Sequence, residues 1–310
     1  MNTLGRLVIA AALGTAALAV QADPFYIDLN GLGGVGDPGG VGQKEDLTNC
    51  ANCTSDVDEL TLKYQSHTAI TLSAAPIIIP NPLPDPPTVI PVITVGDVIS
   101  TTGGYSVDGM AVNAITGLNP GGADMNFTSS PNGDADEWGI TFDFSLLGKV
   151  ASVVGGQLAD VSYDSGTISL LLVEYLGGVI SATNLMMDLI VTGSDLDNNS
   201  NLLIFGTLDF TSVNATYANM FNLQGGASCA GDITFDGIAA CVPSMDFTFV
   251  LDQNLNDPVF EAYDFNANVL TVGGNHDGSL AFAVPEPGTL LLLGSALLGL
   301  AGARRLRKAS

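Results

Sequence analysis

Acidic and amide side chains alternate over residues 195–201, which read Asp195-Leu-Asp197-Asn-Asn199-Ser-Asn201. Oxygen ligands at alternate positions of a turn suit a hard cation such as Ca²⁺. An EF-hand would have Gly at its sixth position and Glu at its twelfth, where this segment has Ser200 and Gly206. Two interpretations therefore stay open, a looser Ca²⁺ loop or an Asx-rich hairpin turn. Less regular runs of the same kind occupy residues 132–137 and 252–257.

Motifs of common enzyme classes are missing from the sequence. It contains no Gly-x-Ser-x-Gly, no His-Glu-x-x-His and no dinucleotide fingerprint on a βαβ unit. The chain has two histidines, His67 and His276, and the second lies in Gly-Gly-Asn-His-Asp-Gly, a composition typical of a turn. We predict that the protein is not an enzyme. A hydrolase that uses two carboxylates is the alternative, because the acidic residues are too numerous for motif selection.

The four cysteines fall into two local pairs, Cys50 with Cys53 and Cys229 with Cys241. An even number of cysteines in an exported chain predicts disulfides. Three connectivities are possible, of which local pairing is the simplest. A redox or zinc role is not favoured, because Cys50-Ala-Asn-Cys53 lies in a polar loop and neither histidine has ligand spacing to either pair.

The charge balance of the chain is strongly acidic. Of its 32 acidic residues only Glu286 lies in the last 26 residues, so residues 23–284 carry 31 acidic residues against three lysines, a net charge of about −28. Such a charge disfavours nucleic acid and anionic lipid as partners and suits divalent cations and a hydrated matrix. The apolar runs at 168–176 and 202–205 are sufficient to build a core, so we expect the body to fold.

The first 22 residues have the features of a secretory signal peptide. Arg6 precedes an apolar stretch from Leu7 to Val20, and small residues at the −3 and −1 positions predict cleavage between Ala22 and Asp23. We therefore expect export from the cytoplasm.

The last 26 residues contain three consecutive parts. Pro285-Glu286-Pro287 is followed by an apolar run from Thr289 to Ala303, and a basic cluster then closes the segment with Arg304, Arg305, Arg307 and Lys308. As a helix the run would measure about 22 Å, which is short of the roughly 30 Å hydrocarbon core. Snorkelling by the basic cluster can make up the difference, so a transmembrane helix is predicted at 289–303.

These three parts resemble the PEP-CTERM sorting signal of Gram-negative bacteria, which is also called an ice-binding protein C-terminal domain. The resemblance implies that an exosortase, a membrane-embedded cysteine transpeptidase, processes the chain near Pro285-Glu286-Pro287. It further implies an inner-membrane precursor and a mature form at the cell surface or in the exopolysaccharide matrix. The resemblance covers the tail alone and does not extend to the fold of the body.

Between the two ends, the sequence predicts a mainly β body. Residues 23–75 form a Gly-rich segment with the first strands, 76–96 a Pro-rich loop or linker, 97–284 the β-rich body and 285–310 the sorting tail. Short alternating runs between Gly, Asn and Asp residues favour an antiparallel sandwich, a jelly roll or a sheet closed on itself. The strands are predicted at 25–29, 58–72, 138–144, 202–210, 245–251, 259–265 and 279–284, and short helices at 145–155 and 217–223.

Taken together, these features predict an exported acidic protein with a structural or adhesive role in a biofilm or floc. Its expected partners are an exosortase and an exopolysaccharide, and it requires no cofactor unless Ca²⁺ binds. A Ca²⁺-dependent carbohydrate-binding module is the alternative, followed by a secreted hydrolase.

Overall fold

A computed structural model describes residues 25–27, 58–81, 86–109, 114–116, 138–176, 179–196, 201–209, 211–212, 221–223, 233–234, 248–254 and 258–283. About three quarters of these residues lie in antiparallel strands, which confirms the prediction of a mainly β body. In chain order the elements are β1 Phe25–Ile27, β2 Glu59–Thr71, β3 Ile77–Ile79, β4 Thr88–Ile90, β5 Val98–Gly104, α1 Tyr105–Asp108, β6 Ala114–Thr116, β7 Trp138–Val154, β8 Gln157–Leu176, β9 Val179–Leu196, β10 Leu202–Asp209, β11 Phe221–Leu223, β12 Ile233–Thr234, β13 Thr248–Asn254, β14 Val259–Asp264 and β15 Val269–Ala283.

Ten of the strands form one sheet that closes on itself. The order is β14-β15-β13-β10-β9-β8-β7-β5-β2-β6, and β15 also pairs with β2. That pairing runs from Val269 opposite Thr71 to Ala281 opposite Glu59, so the sheet forms a ring whose inner face is its core. These pairings describe one continuous closed sheet and do not divide it into the two layers of a sandwich or jelly roll.

Strand β2 shows how the sequence builds this ring. Its even-numbered residues from 60 to 70 are buried and its odd-numbered residues are at least partly exposed, as the period of two in a strand requires. The inward side chains include Leu60, Leu62, Tyr64 and Ile70, which join the hydrophobic core. The predicted strand at 58–72 is confirmed.

A second, three-stranded sheet packs against one end of the ring. It has the order β1-β11-β12, and the Phe25 ring meets the Phe282 ring edge-on at 5.4 Å. Phe25 also stacks on Phe221 at 6.2 Å, and all three rings are fully buried. The end of the ring at which β15 finishes is thus covered by aromatic packing.

The Pro-rich segment connects two neighbouring strands of the ring. Strand β2 ends just before the segment and β5 begins just after it, and Thr71 pairs with Val98 where the two strands meet the segment. Within the segment β3 and β4 form a separate two-stranded antiparallel sheet with Ile77 opposite Ile90. We call residues 76–95 the arm.

The helix predicted at 145–155 is wrong, because residues 138–154 form strand β7. Its pairing with β8 has register shifts after Leu147, Val150 and Ser152, where bulges occur. The helix-like pattern comes from apolar residues three and four apart, Leu146, Leu147, Val150, Val153 and Val154, of which Leu147 and Val154 are exposed in the strand.

The helix predicted at 217–223 is also wrong over its described part, since Phe221–Leu223 is strand β11 paired with β1. Residues 217–220, the signal peptide and the predicted transmembrane helix at 289–303 lie outside the described residues. In the ranges that the structure describes, no helix is long and apolar enough to cross a membrane.

Candidate functional site

The inner face of the ring carries one cluster of polar side chains. Ser66, Thr68, Thr101 and Tyr163 are all less than 8% exposed, although most of their inward neighbours are apolar. They come from β2, β5 and β8, and His276 of β15 joins them. Buried polar groups of this kind need hydrogen-bond partners, and here they supply them to one another.

Ser66 and His276 form the first hydrogen-bonded pair of the cluster. The Ser66 Oγ lies 2.7 Å from His276 Nε2, within the reach of a hydroxyl and an imidazole nitrogen. The His276 ring also packs on Tyr64, with ring centroids 5.1 Å apart. Gly274 is opposite Ser66 in the sheet, and a Cβ there would lie 2.9 Å from His276 Nε2. Because Gly274 has no side chain, the His276 imidazole has room beside it.

Thr68, Thr101 and Tyr163 form a chain of hydroxyl groups beside that pair. Tyr163 donates to Thr101 Oγ1 at 2.9 Å, and Thr101 Oγ1 is 2.9 Å from Thr68 Oγ1. Burial raises the pKa of Tyr163 to about 12, although its hydrogen bonds with Thr101 and Thr68 act to lower that pKa. Tyr163 is thus a neutral phenol at physiological pH. Burial also raises the pKa of Tyr64 well above its ordinary value, and the negative charges that Tyr163 and Asp277 carry when ionised act in the same direction.

A pocket of about 60 Å³ adjoins these groups, and we call it the polar pocket. Its polar lining residues include Ser66, Thr68, Tyr163 and His276, and its apolar lining residues include Leu158, Val161 and Val272. Exposed Ala159 and Pro258 lie at its rim, so it opens there toward solvent. A smaller and mainly apolar space of about 20 Å³ lies deeper, beside Tyr64 and Phe142.

The outer face of β2 carries a second cluster of titratable side chains, centred on His67. His67 Nδ1 lies 2.9 Å from Glu261 Oε1, and its Nε2 lies 2.9 Å from Asp108 Oδ1. The hydrogen bonds that His67 donates, first to Glu261 and second to Asp108, raise the pKa of His67, whereas burial acts to lower it. With a carboxylate at each nitrogen, the imidazolium form donates two charge-assisted hydrogen bonds. His67 thereby links β2 to α1 and β14.

The predicted Ca²⁺ ligands are only partly within the described structure. Asp195 and Asn201 flank the connection between β9 and β10, and Asp195 Oδ1 accepts a hydrogen bond from the Leu196 amide at 2.8 Å. Asp197 and Asn199 lie outside the described residues. Among the residues with described positions, no group of three His, Cys, Asp or Glu side chains is arranged to hold a metal ion. The calcium loop remains a prediction.

The other predicted site residues also lie outside the described ranges. They are Ala22 and Asp23 at the signal cleavage site, the cysteines Cys50, Cys53, Cys229 and Cys241, the motif Pro285, Glu286 and Pro287, and the basic residues Arg304, Arg305, Arg307 and Lys308.

The polar cluster could not be recognised as a site from the sequence. The alternation in β2 indicates that Ser66 and His67 point to opposite faces, but it does not show what they meet. The turn predicted around His276 is wrong, since Gly273–Gly278 lies within β15, paired along its length with β2. The useful signal was a run of serine and threonine at inward positions of an otherwise apolar strand.

Comparison with known proteins identifies the tail. Residues 283–308 match the model of a protein-sorting family, beginning at Ala283, the last residue of β15. That family is the PEP-CTERM protein-sorting motif, so the predicted resemblance is confirmed. The chain is an exported protein with an exosortase sorting signal. No curated protein and no solved structure matches the chain.

Proposed function

We propose that this protein is an adhesive component of the cell surface or extracellular matrix, and that copies of the chain associate through their arms. The proposal rests on one observation, that the points of β15 nearest the arm and nearest the sorting tail lie at opposite ends of that strand. Strand β2, which leads into the arm, ends at Thr71, and Thr71 pairs with the first residue of β15, Val269. The tail begins at Ala283, the last residue of the same strand.

The length of β15 separates these two points. Fifteen strand residues at a rise of roughly 3.3 Å extend about 45 Å along the strand. While the precursor is held in the membrane by its tail, the arm therefore lies at the end of the ring farther from that membrane. An arm in this position can meet material outside the cell.

The surface of the arm is suited to contact with another apolar surface. Ile77 and Ile78 are each 54% exposed, and Ile79 and Ile90 are 45% and 41% exposed. Asn81, the polar side chain between the strands, is occupied by hydrogen bonds to Pro86 O and Thr88 Oγ1. A two-stranded sheet that exposes both of its faces is marginally stable alone and gains from burial against a partner.

Charge favours a second copy of the chain as that partner. The body carries a net charge of about −28, whereas Asp85 is the only charged residue of the arm. Two bodies repel each other, so their arms are the surfaces through which identical copies can approach. Aliphatic side chains are also a poor match for the hydroxyl groups of a polysaccharide, which makes contact with exopolysaccharide a task for other parts of the body.

Sedimentation velocity of the mature protein tests the proposal. We expect a concentration-dependent dimer that is strengthened by added NaCl, because salt screens the repulsion between the bodies. Replacing Ile77, Ile78 and Ile79 together by Thr keeps β propensity, and we expect this change to abolish the dimer. Val154→Thr, at an exposed position outside the arm, is the matched control and should leave it unchanged. A wild-type protein that stays monomeric in high salt, or an arm variant that still dimerises, would contradict the proposal.

A further inference from the structure

We infer that the polar pocket is a binding site for a small neutral ligand rich in hydroxyl groups, of the size and chemistry of a single sugar. The inference is independent of the arm, since the pocket lies on the inner face of the ring and opens at its rim residues Ala159 and Pro258.

The polar groups of the pocket are complementary to hydroxyl groups. Ser66, Thr68 and Tyr163 are hydroxyl groups that donate and accept hydrogen bonds, and His276 adds an imidazole nitrogen. Each already makes one hydrogen bond inside the cluster, which fixes its position before a ligand arrives. Pre-positioned groups of this kind lose little side-chain entropy on binding.

The charge and the apolar wall narrow the ligand class further. Among the described residues that line the pocket, Asp160 is the only acidic one and none is a lysine or arginine. Ser152 donates to Asp160 Oδ2 at 2.5 Å. An anionic ligand would therefore meet the Asp160 carboxylate without a lysine or arginine to offset it. Leu158, Val161 and Val272 add apolar surface to the lining, which suits the C–H groups of a sugar ring.

The space is also larger than one water molecule requires. A volume of about 60 Å³ compares with roughly 10–15 Å³ for a single water position. Gly274 contributes to this space, because a side chain there would displace the His276 ring.

The two histidines of the chain provide an internally controlled test. His276 lines the pocket, whereas His67 lies on the opposite face of the sheet with its two carboxylates. With ¹⁵N-histidine labelling of the mature protein, D-glucose, D-galactose and D-mannose would each be titrated to 100 mM. We expect at least one sugar to shift the His276 imidazole resonances saturably and to leave those of His67 unchanged.

Two variants separate binding from structure. Thr68→Val keeps the shape of the side chain but removes a hydroxyl from the pocket, and we expect affinity to fall about tenfold, the usual effect of one lost hydrogen bond. Thr71→Val, on the exposed face of the same strand, should leave affinity unchanged. Absence of any saturable His276 shift, an equal response of both histidines, or equal affinity in Thr68→Val and the wild type would each overturn the inference and leave a pocket that holds ordered water only.

Discussion

The Ser66 hydroxyl and the His276 imidazole meet at 2.7 Å across β2 and β15, the two strands whose pairing closes the sheet. The seam, which is the pairing of β2 with β15, therefore has a polar inner face beside Ser66 and His276. Gly274, opposite Ser66 in register, provides the room for the imidazole. The geometry of closure and the geometry of the polar pocket thus depend on the same few residues.

One residue further along β2, the seam is reinforced from outside. His67 is opposite Gly273, and a Cβ at Gly273 would lie 2.1 Å from Glu261 Oε1. The missing side chain lets the Glu261 carboxylate reach His67 from the neighbouring strand β14. Adjacent residues of one strand therefore serve two clusters, because the strand turns them to opposite faces.

The His67 cluster predicts a stability that falls as pH rises. The folded-state pKa of His67 is raised above its ordinary value of 6.5. Its ion pairs therefore stabilise the fold fully below about pH 6.5, and this contribution is lost as pH rises through the folded-state pKa. We expect His67→Gln to lower stability by roughly 0.5–1 kcal/mol at pH 5.5, a value limited by solvent screening, and by less at pH 9.

Urea unfolding at the two pH values measures this difference. The variant retains His276. The pH dependence of the difference in the free energy of unfolding between wild type and variant therefore reports on His67 alone, and we call this difference the gap. A gap of constant size, or one that widens toward alkaline pH, would show that His67 is not held as a cation.

Gly104 is predicted to be intolerant of any side chain. Its φ of 108° lies in the left-handed region, and a Cβ there would approach Phe142 O to 2.3 Å. We expect Gly104→Ala to lower the free energy of unfolding by about 2–4 kcal/mol, from backbone strain together with the clash. Gly96 has a similar φ of 93° but nothing within 4 Å of its Cβ position. Gly96→Ala should therefore cost only about 1–2 kcal/mol, and equal losses in the two variants would disprove the role of the clash.

Asp97 is predicted to fix the base of the arm. Its carboxylate accepts hydrogen bonds from the amide and hydroxyl groups of Ser73, which precedes the arm, and of Thr94, near the arm's last residue. Burial acts to raise the pKa of Asp97, but these hydrogen bonds outweigh it and the pKa is lowered. Its contribution is therefore present at neutral pH and lost as pH falls through the folded-state pKa.

We expect Asp97→Asn to lower the free energy of unfolding by about 1.5–3 kcal/mol at pH 7, the typical value for hydrogen bonds to a charged group. Limited proteolysis should also cut the arm faster in this variant. Asp164→Asn is the control, because Asp164 is exposed and its 3.6 Å contact with Lys149 is a surface pair of little energetic weight. Similar behaviour of the two variants would contradict the role assigned to Asp97.

The sequence predicted the strands better than it predicted their partners. The alternation in 58–72 defined β2, since one face of that strand is buried along its whole length. The closure of the ring joins residues as far apart as Ser66 and His276, and no local pattern records such a contact. The opposite occurred in β7, where the exposed apolar residues Leu147 and Val154 completed a helix-like pattern within a strand. The candidate site was missed for the same reason as the closure, because its halves come from distant strands.

The tail predicts processing immediately beside the folded sheet. Ala283 is the last residue of β15 and pairs with Thr248, and Pro285 follows two residues later. A residue before proline favours an extended backbone, so the chain should leave the sheet without turning back on itself.

Intact mass of the surface form should show a C-terminus close to Pro285-Glu286-Pro287, with the apolar run and basic cluster removed. Replacing Glu286 by Ala should leave most of the chain as an unprocessed membrane precursor, whereas Pro80→Ala in the arm should be processed normally. A surface form that still ends at Ser310 would refute processing of the tail, wherever the protein is found.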